Sequence, residues 1–305
     1  MPKVLSVKKD TLFAIGCLFA VILAFTELDA VTQAMKKALA LCAGAVVPSL
    51  FPFLILTSFL LSSPKAVSLL SLSARPLSRL LGTSPKGAIA FLFGTLFGFP
   101  IGARVVAEAI KCGDMDEEEG ERLLLFSNNA SPAFLVGGVG LGMLGSAKAG
   151  AFLFFLQLTV SLAVGLFTRR KPVSRGDATL FTVSRSFTDI VRESSLQILA
   201  ICGYILFFSV LSALFTAHLG NDWLCTLVYS LCELGSGCAR ASSLSPAFSL
   251  PLCAFASCFS GLSVFFQCKD AIRDTSLTMK GYLPVKLLCG IAAAVLCYFL
   301  FPFFS

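Results

Sequence analysis

The sequence predicts an all-α polytopic membrane protein made of two inverted repeats, each with a re-entrant helical hairpin. Three observations predict it. Of 305 residues, 56% are apolar by type and only 13% are charged, where a soluble domain carries about a quarter, and the mean hydropathy is +0.87. The apolar residues lie in stretches near the roughly 20 residues that cross a bilayer's hydrocarbon core. Two of those stretches are broken centrally by Gly, Pro or Ser, at corresponding places in the two halves. Ordinary soluble enzymes, coiled coils, collagen and disordered chains are excluded by the same composition.

Residues 1–30 hold the first transmembrane helix, apolar from Thr11 to Phe25 and closed by Glu27 and Asp29. Its basic head resembles a signal peptide, but no A-x-A-like site follows and further spans come after it, so it is read as retained. Residues 31–168 form the first repeat. Its opening span, about Ala38 to Leu61, contains P-S-L-F-P-F, and Pro48 and Pro52 predict a kink. A Ser-rich, basic connection leads to the hairpin at 87–110. There, about 12 apolar residues precede G-F-P-I-G at 98–102, and A-R-V-V-A-E-A-I follows; each arm is too short to cross.

The acids of D-M-D-E-E-E-G-E-R suit a helix's first turn. That helix is expected to run on through L-L-L-F-S-N-N-A-S-P-A-F-L-V-G-G-V-G-L-G-M-L, and an unbroken span follows from Ala149 to Thr168. Residues 169–185 are a basic cytoplasmic loop. The second repeat, 186–305, has a helix from about Ser186 to Ala217 and a half-length segment from Trp223 to Arg240. Then come two short apolar arms broken at F-S-G-L-S, read as a second hairpin at 246–272, and a last span from Tyr282 to Phe304.

With the N-terminus inside and both hairpins returning to their own side, sixteen of the 24 Lys and Arg fall inside. Lys36, Lys37, Lys148, Arg240, Lys269, Arg273, Lys280 and Lys286 fall outside. Basic residues prefer cytoplasmic loops, so the formal charge of +7 reads as topology and no nucleic-acid partner is expected. Seven of the twelve Cys sit in apolar runs as small hydrophobes. Cys225, Cys232 and Cys238 lack C-x-x-C spacing and the chain has one His, so no metal site or cofactor is expected. The expected partners are the lipid bilayer and a small anionic substrate, and a homo-oligomer is left open.

No G-x-S-x-G, P-loop or H-E-x-x-H occurs, so the chain does not read as an enzyme. Polar groups at membrane depth are the candidate substrate site. A broken hairpin exposes backbone N–H groups and a positive helix end, which favour an anion. Gly98, Pro100 and Gly102 make the first tip, with Arg104 just beyond; Gly261 and Ser263 make the second, with Gln267 one turn on. The same glycines would equally serve close helix packing, and Arg104 with Glu108 would equally form an i,i+4 pair. Asn128, Asn129 and Ser131 lie in N-N-A-S-P within a crossing helix. Buried without partners they would cost several kcal/mol, so they face a cavity, a hairpin or a ligand, or else cap the helix at headgroup level. Glu233, near Gly235 and Gly237, is read either as a site residue or as an interfacial carboxylate.

G-F-P-I-G-A-R, E-E-G-E-R-L-L-L-F-S-N-N-A-S-P-A-F-L-V-G-G-V-G-L-G-M, C-E-L-G-S-G-C and G-L-S-V-F-F-Q occur in an order that resembles the sporulation integral membrane protein YlbJ family, over about residues 40–300. That family has a gate-type nucleoside recognition domain, a type also present in concentrative nucleoside transporters. Arg104 stands where the family pattern has Lys, and Phe99 where it has Tyr. The resemblance implies a role in endospore formation: export of dipicolinate from the mother cell across the outer forespore membrane. A nucleoside or purine carrier, or a non-transporting spore-envelope assembly protein, are the alternatives.

Overall fold

The computed structural model describes residues 2–170 and 186–300, which are helical with no strand among them. Most of the basic loop 169–185, and the end of the last span beyond residue 300, lie outside the described residues.

α1 (Pro2–Thr26) is followed by α2 (Leu28–Leu41), a π-helical turn (Cys42–Val46) and α3 (Val47–Ser62). These last three form one apolar stretch of 35 residues. Pro48 and Pro52 cannot donate to the helical ladder, and the widened turn just before them absorbs the misfit. The Ser-rich connection is itself helical. Ser63 caps α4 (Pro64–Ser73) by accepting from the Ala66 N–H, and α5 (Arg75–Leu81) follows. Pro at the first or second position is pre-set for a helix start.

α6 (Pro85–Leu96) and α7 (Ile101–Lys111) fold back on each other. A methyl on Gly94 would fall 2.9 Å from the Gly102 Cα, and Lys86 pairs with Asp114 at the base. α8 (Glu117–Leu124) starts on Asp116, whose carboxylate accepts from the Glu119 N–H at 2.8 Å. The helix expected to continue through N-N-A-S-P does not. It stops after Leu124 and resumes as a π-helix (Ala133–Met143), because Pro132 lacks an N–H and polar side chains take over the backbone groups between. α9 (Ala147–Phe167) runs antiparallel to this whole stretch. Gly150 meets Gly140, Gln157 meets Ala130, Ser161 meets Asn129, and Gly165 meets Phe126. Residues 117–143 are therefore one broken crossing element.

α10 (Phe187–Thr216) leads to α11 (Asp222–Cys232), α12 (Leu234–Ala241), α13 (Pro246–Phe259), α14 (Gly261–Ala271) and α15 (Tyr282–Leu300). Here the structure corrects the second hairpin. α11 and α12 fold back, with Gly237 against Ser230 and Arg240 3.2 Å from Asp222. α13 and α14 do not. Cys297 lies beside Cys253, Gly290 meets Phe255 and Phe259, and the Tyr282 ring packs at a tilt on Phe265, with centroids 5.7 Å apart. This register with α15 continues across the break, so 246–271 crosses. The hairpin is 222–241, and Gly261 and Ser263 sit at a break in a crossing element rather than at a hairpin tip.

A second correction follows. Lys111 Nζ is 3.5 Å from Asp274, and Glu121 accepts from Thr278 Oγ1 at 2.8 Å and from the Lys280 N–H at 3.1 Å. The loop after α14 therefore shares a face with the base of the first hairpin, carrying Lys269, Arg273 and Lys280 with it. Lys286 is not an outer charge, since it is 3% exposed within α15.

Five described helical stretches are long and apolar enough to cross a membrane: 28–62, 147–167, 187–216, 246–271 and 282–300. Their outer faces expose Leu56, Leu199, Phe207, Leu288 and Phe299. Only lipid accommodates that much apolar surface around a satisfied helical backbone.

Candidate functional site

Each hairpin tip is seated on the break in the crossing element that follows it. Gly98, at φ +92°, turns the first tip, and Pro100 caps α7 with its carbonyl accepting from the Arg104 N–H at 3.0 Å. The Phe99 N–H donates to the Asn129 carbonyl at 3.0 Å. Asn128 Oδ1 accepts from the Ala103 N–H at 2.8 Å, while its Nδ2 donates to the Leu124 carbonyl at 3.1 Å. Asn129 donates to Thr95 Oγ1 at 3.1 Å and the Phe126 carbonyl at 3.0 Å, and accepts from Ser161 Oγ at 2.6 Å. Both amides are fully buried. Their polar atoms bind the hairpin and the unwound turn, so of the readings left open by the sequence the structure supplies the hairpin. Gln157 adds a two-pronged clamp, accepting from the Ala130 N–H at 3.1 Å and donating to its carbonyl at 3.0 Å.

Asn129→Ala removes three hydrogen bonds at a buried site. It is expected to destabilise the protein by about 2 kcal/mol, because the partners left behind lose water as well as the amide. Nine of the cysteines are buried, so a thiol-reactive dye followed through thermal unfolding measures the loss.

The later part of the chain also seats a hairpin tip against a helix break, with other residues. Glu233 forms the tip between α11 and α12, and its carboxylate accepts from the Gly235 and Ser236 N–H groups at 2.9 and 2.5 Å. The break lies at Ser260 and Gly261, at φ +72° and +80°, and a methyl on Gly261 would fall 3.1 Å from the Cys232 carbonyl oxygen. Gln267 donates to Ser263 Oγ at 3.0 Å, and its Oε1 is buried with no hydrogen-bond partner.

The two tip-and-break pairs meet at a narrow cavity of about 20 Å³, room for about one water. Gly98 and Phe99 from the first tip, Ser131, Glu233 and Leu234 from the second tip, and Gln267 line it; Ser49, Leu50 and Ile201 close it. Four helical segments begin around it, at Ile101, Ala133, Leu234 and Gly261. Each such end is equivalent to roughly half a positive charge, so together they outweigh the carboxylate of Glu233 even when it is ionised. Of the sequence candidates, Gly98, Ser131, Glu233 and Gln267 reach the cavity. Pro100, Gly102, Asn128, Asn129, Gly261 and Ser263 shape its walls from behind.

Arg104 points elsewhere. Its guanidinium donates to Gln197 Oε1 at 2.8 Å and lies 3.5 Å from Glu193, both on α10. The central cation is Lys286, whose Nζ donates to the Asn128 carbonyl at 2.7 Å. The sequence alone places it among the outer charges. The signal for it, and for Gln157, was a polar side chain flanked by apolar residues on both sides, at intramembrane depth.

No protein-family model matches the chain, and no solved structure matches it. Among curated proteins, it is 27% identical, over a 311-residue alignment, to the sporulation integral membrane protein YlbJ of Bacillus subtilis (strain 168). The alignment covers 86% of this chain and 76% of the relative. This chain resembles YlbJ along most of its length. The match supports membership of the YlbJ family, in line with the motif order read from the sequence, and the protein is an integral membrane protein.

Proposed function

We propose that this chain is a secondary carrier for a small anionic metabolite, built as two inverted repeats, and that the metabolite is dipicolinate moved during sporulation. The observation that carries the reading is the convergence of two hairpin tips and two helix breaks on one buried cavity ringed by helix N-termini. Secondary transporters hold substrate near the midplane at such interruptions. An excess of positive helix ends suits a carboxylate better than an uncharged nucleoside.

The hairpins open to opposite faces. With the base of the first hairpin inward, connectivity puts nineteen of the 24 Lys and Arg inside and four outside, with Lys286 buried. That satisfies the basic-residue rule more strongly than the sixteen to eight read from the sequence. The N-terminus is then cytoplasmic, and in the outer forespore membrane the outer face looks toward the spore. Because the cavity admits only about one water, loading requires the tips to part, and alternating access follows from rocking one repeat against the other. The second N–H of the Gln267 amide and the Ser131 hydroxyl donate to the ligand's carboxylates, while the helix ends receive its charge.

The test is dipicolinate flux into vesicles containing the purified chain. Wild type is expected to exceed empty vesicles, and Gln267→Ala to fall about tenfold, the equivalent of one lost hydrogen bond at a desolvated site. Absent flux with folded protein overturns transport of this substrate, and faster flux of uridine than of dipicolinate turns the reading toward a nucleoside carrier.

A further inference from the structure

A second cavity, of about 410 Å³, opens on the outer face between α2, α10 and the second hairpin. Its size falls in the range of small-molecule pockets. Lys37, Asp222 and Arg240 stand at its mouth, Tyr229 forms part of its wall, and Leu41, Ser209 and Ser236 form its floor. Only one layer separates that floor from the central cavity. Ser209 and Ser236 hydroxyls are 2.9 Å apart, the Ser236 N–H binds Glu233, and Leu41 packs on Gly235.

The charges at the mouth are out of keeping with the face they occupy. Connectivity leaves only four Lys and Arg on that side, and two of them, Lys37 and Arg240, line this one crevice. Arg240 is incompletely satisfied as well. One terminal nitrogen reaches Asp222 Oδ1 at 3.2 Å and its guanidinium lies 5.1 Å over the Tyr229 ring, but its Nε is buried without a hydrogen-bond partner. Asp222 is a weak occupant, since its side chain is 87% exposed and exposed ion pairs contribute little. A guanidinium paired with an exposed acid, over an aromatic ring and in the same crevice as a second cation, matches a planar carboxylate.

We infer that this crevice is an outer anion-binding vestibule, in which Lys37 and Arg240 hold a small organic carboxylate that displaces Asp222 as it passes between the central cavity and the outer face. The inference rests on the carrier reading for its role and on the crevice alone for its binding.

Two measurements separate these: equilibrium dialysis of radiolabelled dipicolinate against the purified chain, and flux from the outer face in vesicles. Lys37→Gln and Arg240→Gln are each expected to raise KM about tenfold with little change in maximal rate, as for a lost charge-assisted contact. Asp222→Asn is expected to lower KM, because it removes the competing carboxylate; a purely structural role for the Asp222–Arg240 pair predicts the opposite sign. Lys148→Gln, a cation on the same face outside the crevice, should leave KM unchanged. Normal flux with KM unmoved in Lys37→Gln and Arg240→Gln overturns the vestibule and leaves the carrier reading intact. Dialysis binding that depends on Arg240 without flux upholds the vestibule and defeats the carrier reading. Absence of both defeats both.

Discussion

Gly94→Ala is expected to yield little or no folded protein. Its added methyl would fall 1.7 Å from the Ser127 carbonyl oxygen, and one on Gly102 would fall 2.1 Å from the same atom. The carbonyl of the first break is wedged into the notch that these two glycines leave between the arms of the hairpin. Backbone on both sides cannot yield as a flexible side chain would, so the cost is at least about 3 kcal/mol, the upper end for overpacking. The loss would be read as aggregation in size-exclusion chromatography and as early thiol-dye labelling. Gly203→Ala, in α10 with nothing within 4 Å of the added methyl, is the matched control and should be neutral or slightly stabilising. A Gly94→Ala protein as stable as that control would show that the hairpin does not seat on the break.

Lys286→Ala is expected to be the next most damaging change. The side chain is 3% exposed, and its ammonium donates to the carbonyl that unwinding frees at Asn128. Truncation leaves that carbonyl buried without its partner and empties the volume of a four-carbon stem, together costing about 3 kcal/mol. Lys286→Met keeps the stem and loses only the charge and the bond, so it should recover about half of the loss. Equal destabilisation by both would place the whole effect in the bond; none in either would mean that Lys286 is not buried at the break.

Both predictions concern contacts that the sequence could announce only in part. N-N-A-S-P declared that its amides need partners, since bare burial is too costly. It did not say that Thr95, Ser161 and the Ala103 N–H would be those partners, because each comes from a different helix. Lys286 was legible as a charge in an apolar run, yet its place four residues into the last span made a loop-end reading equally natural. Glu233 could be read as a tip only once the hairpin was placed at 222–241.

Composition and apolar length alone determined that this is a helical membrane protein, because lipid leaves a backbone few ways to satisfy its own polar groups. Local chemistry likewise marked Gly98, the 128–131 block and Gly261 as interruptions: left-handed φ values, a proline without an N–H, and side chains that bond backbone are properties of a few adjacent residues. What the tertiary structure alone decided is which interrupted segment turns back and which goes through. Two short apolar arms around a break fit either outcome equally well. The choice falls to the neighbouring helix, here α15, whose register from Cys297 to Tyr282 carries 246–271 across and leaves 222–241 to return.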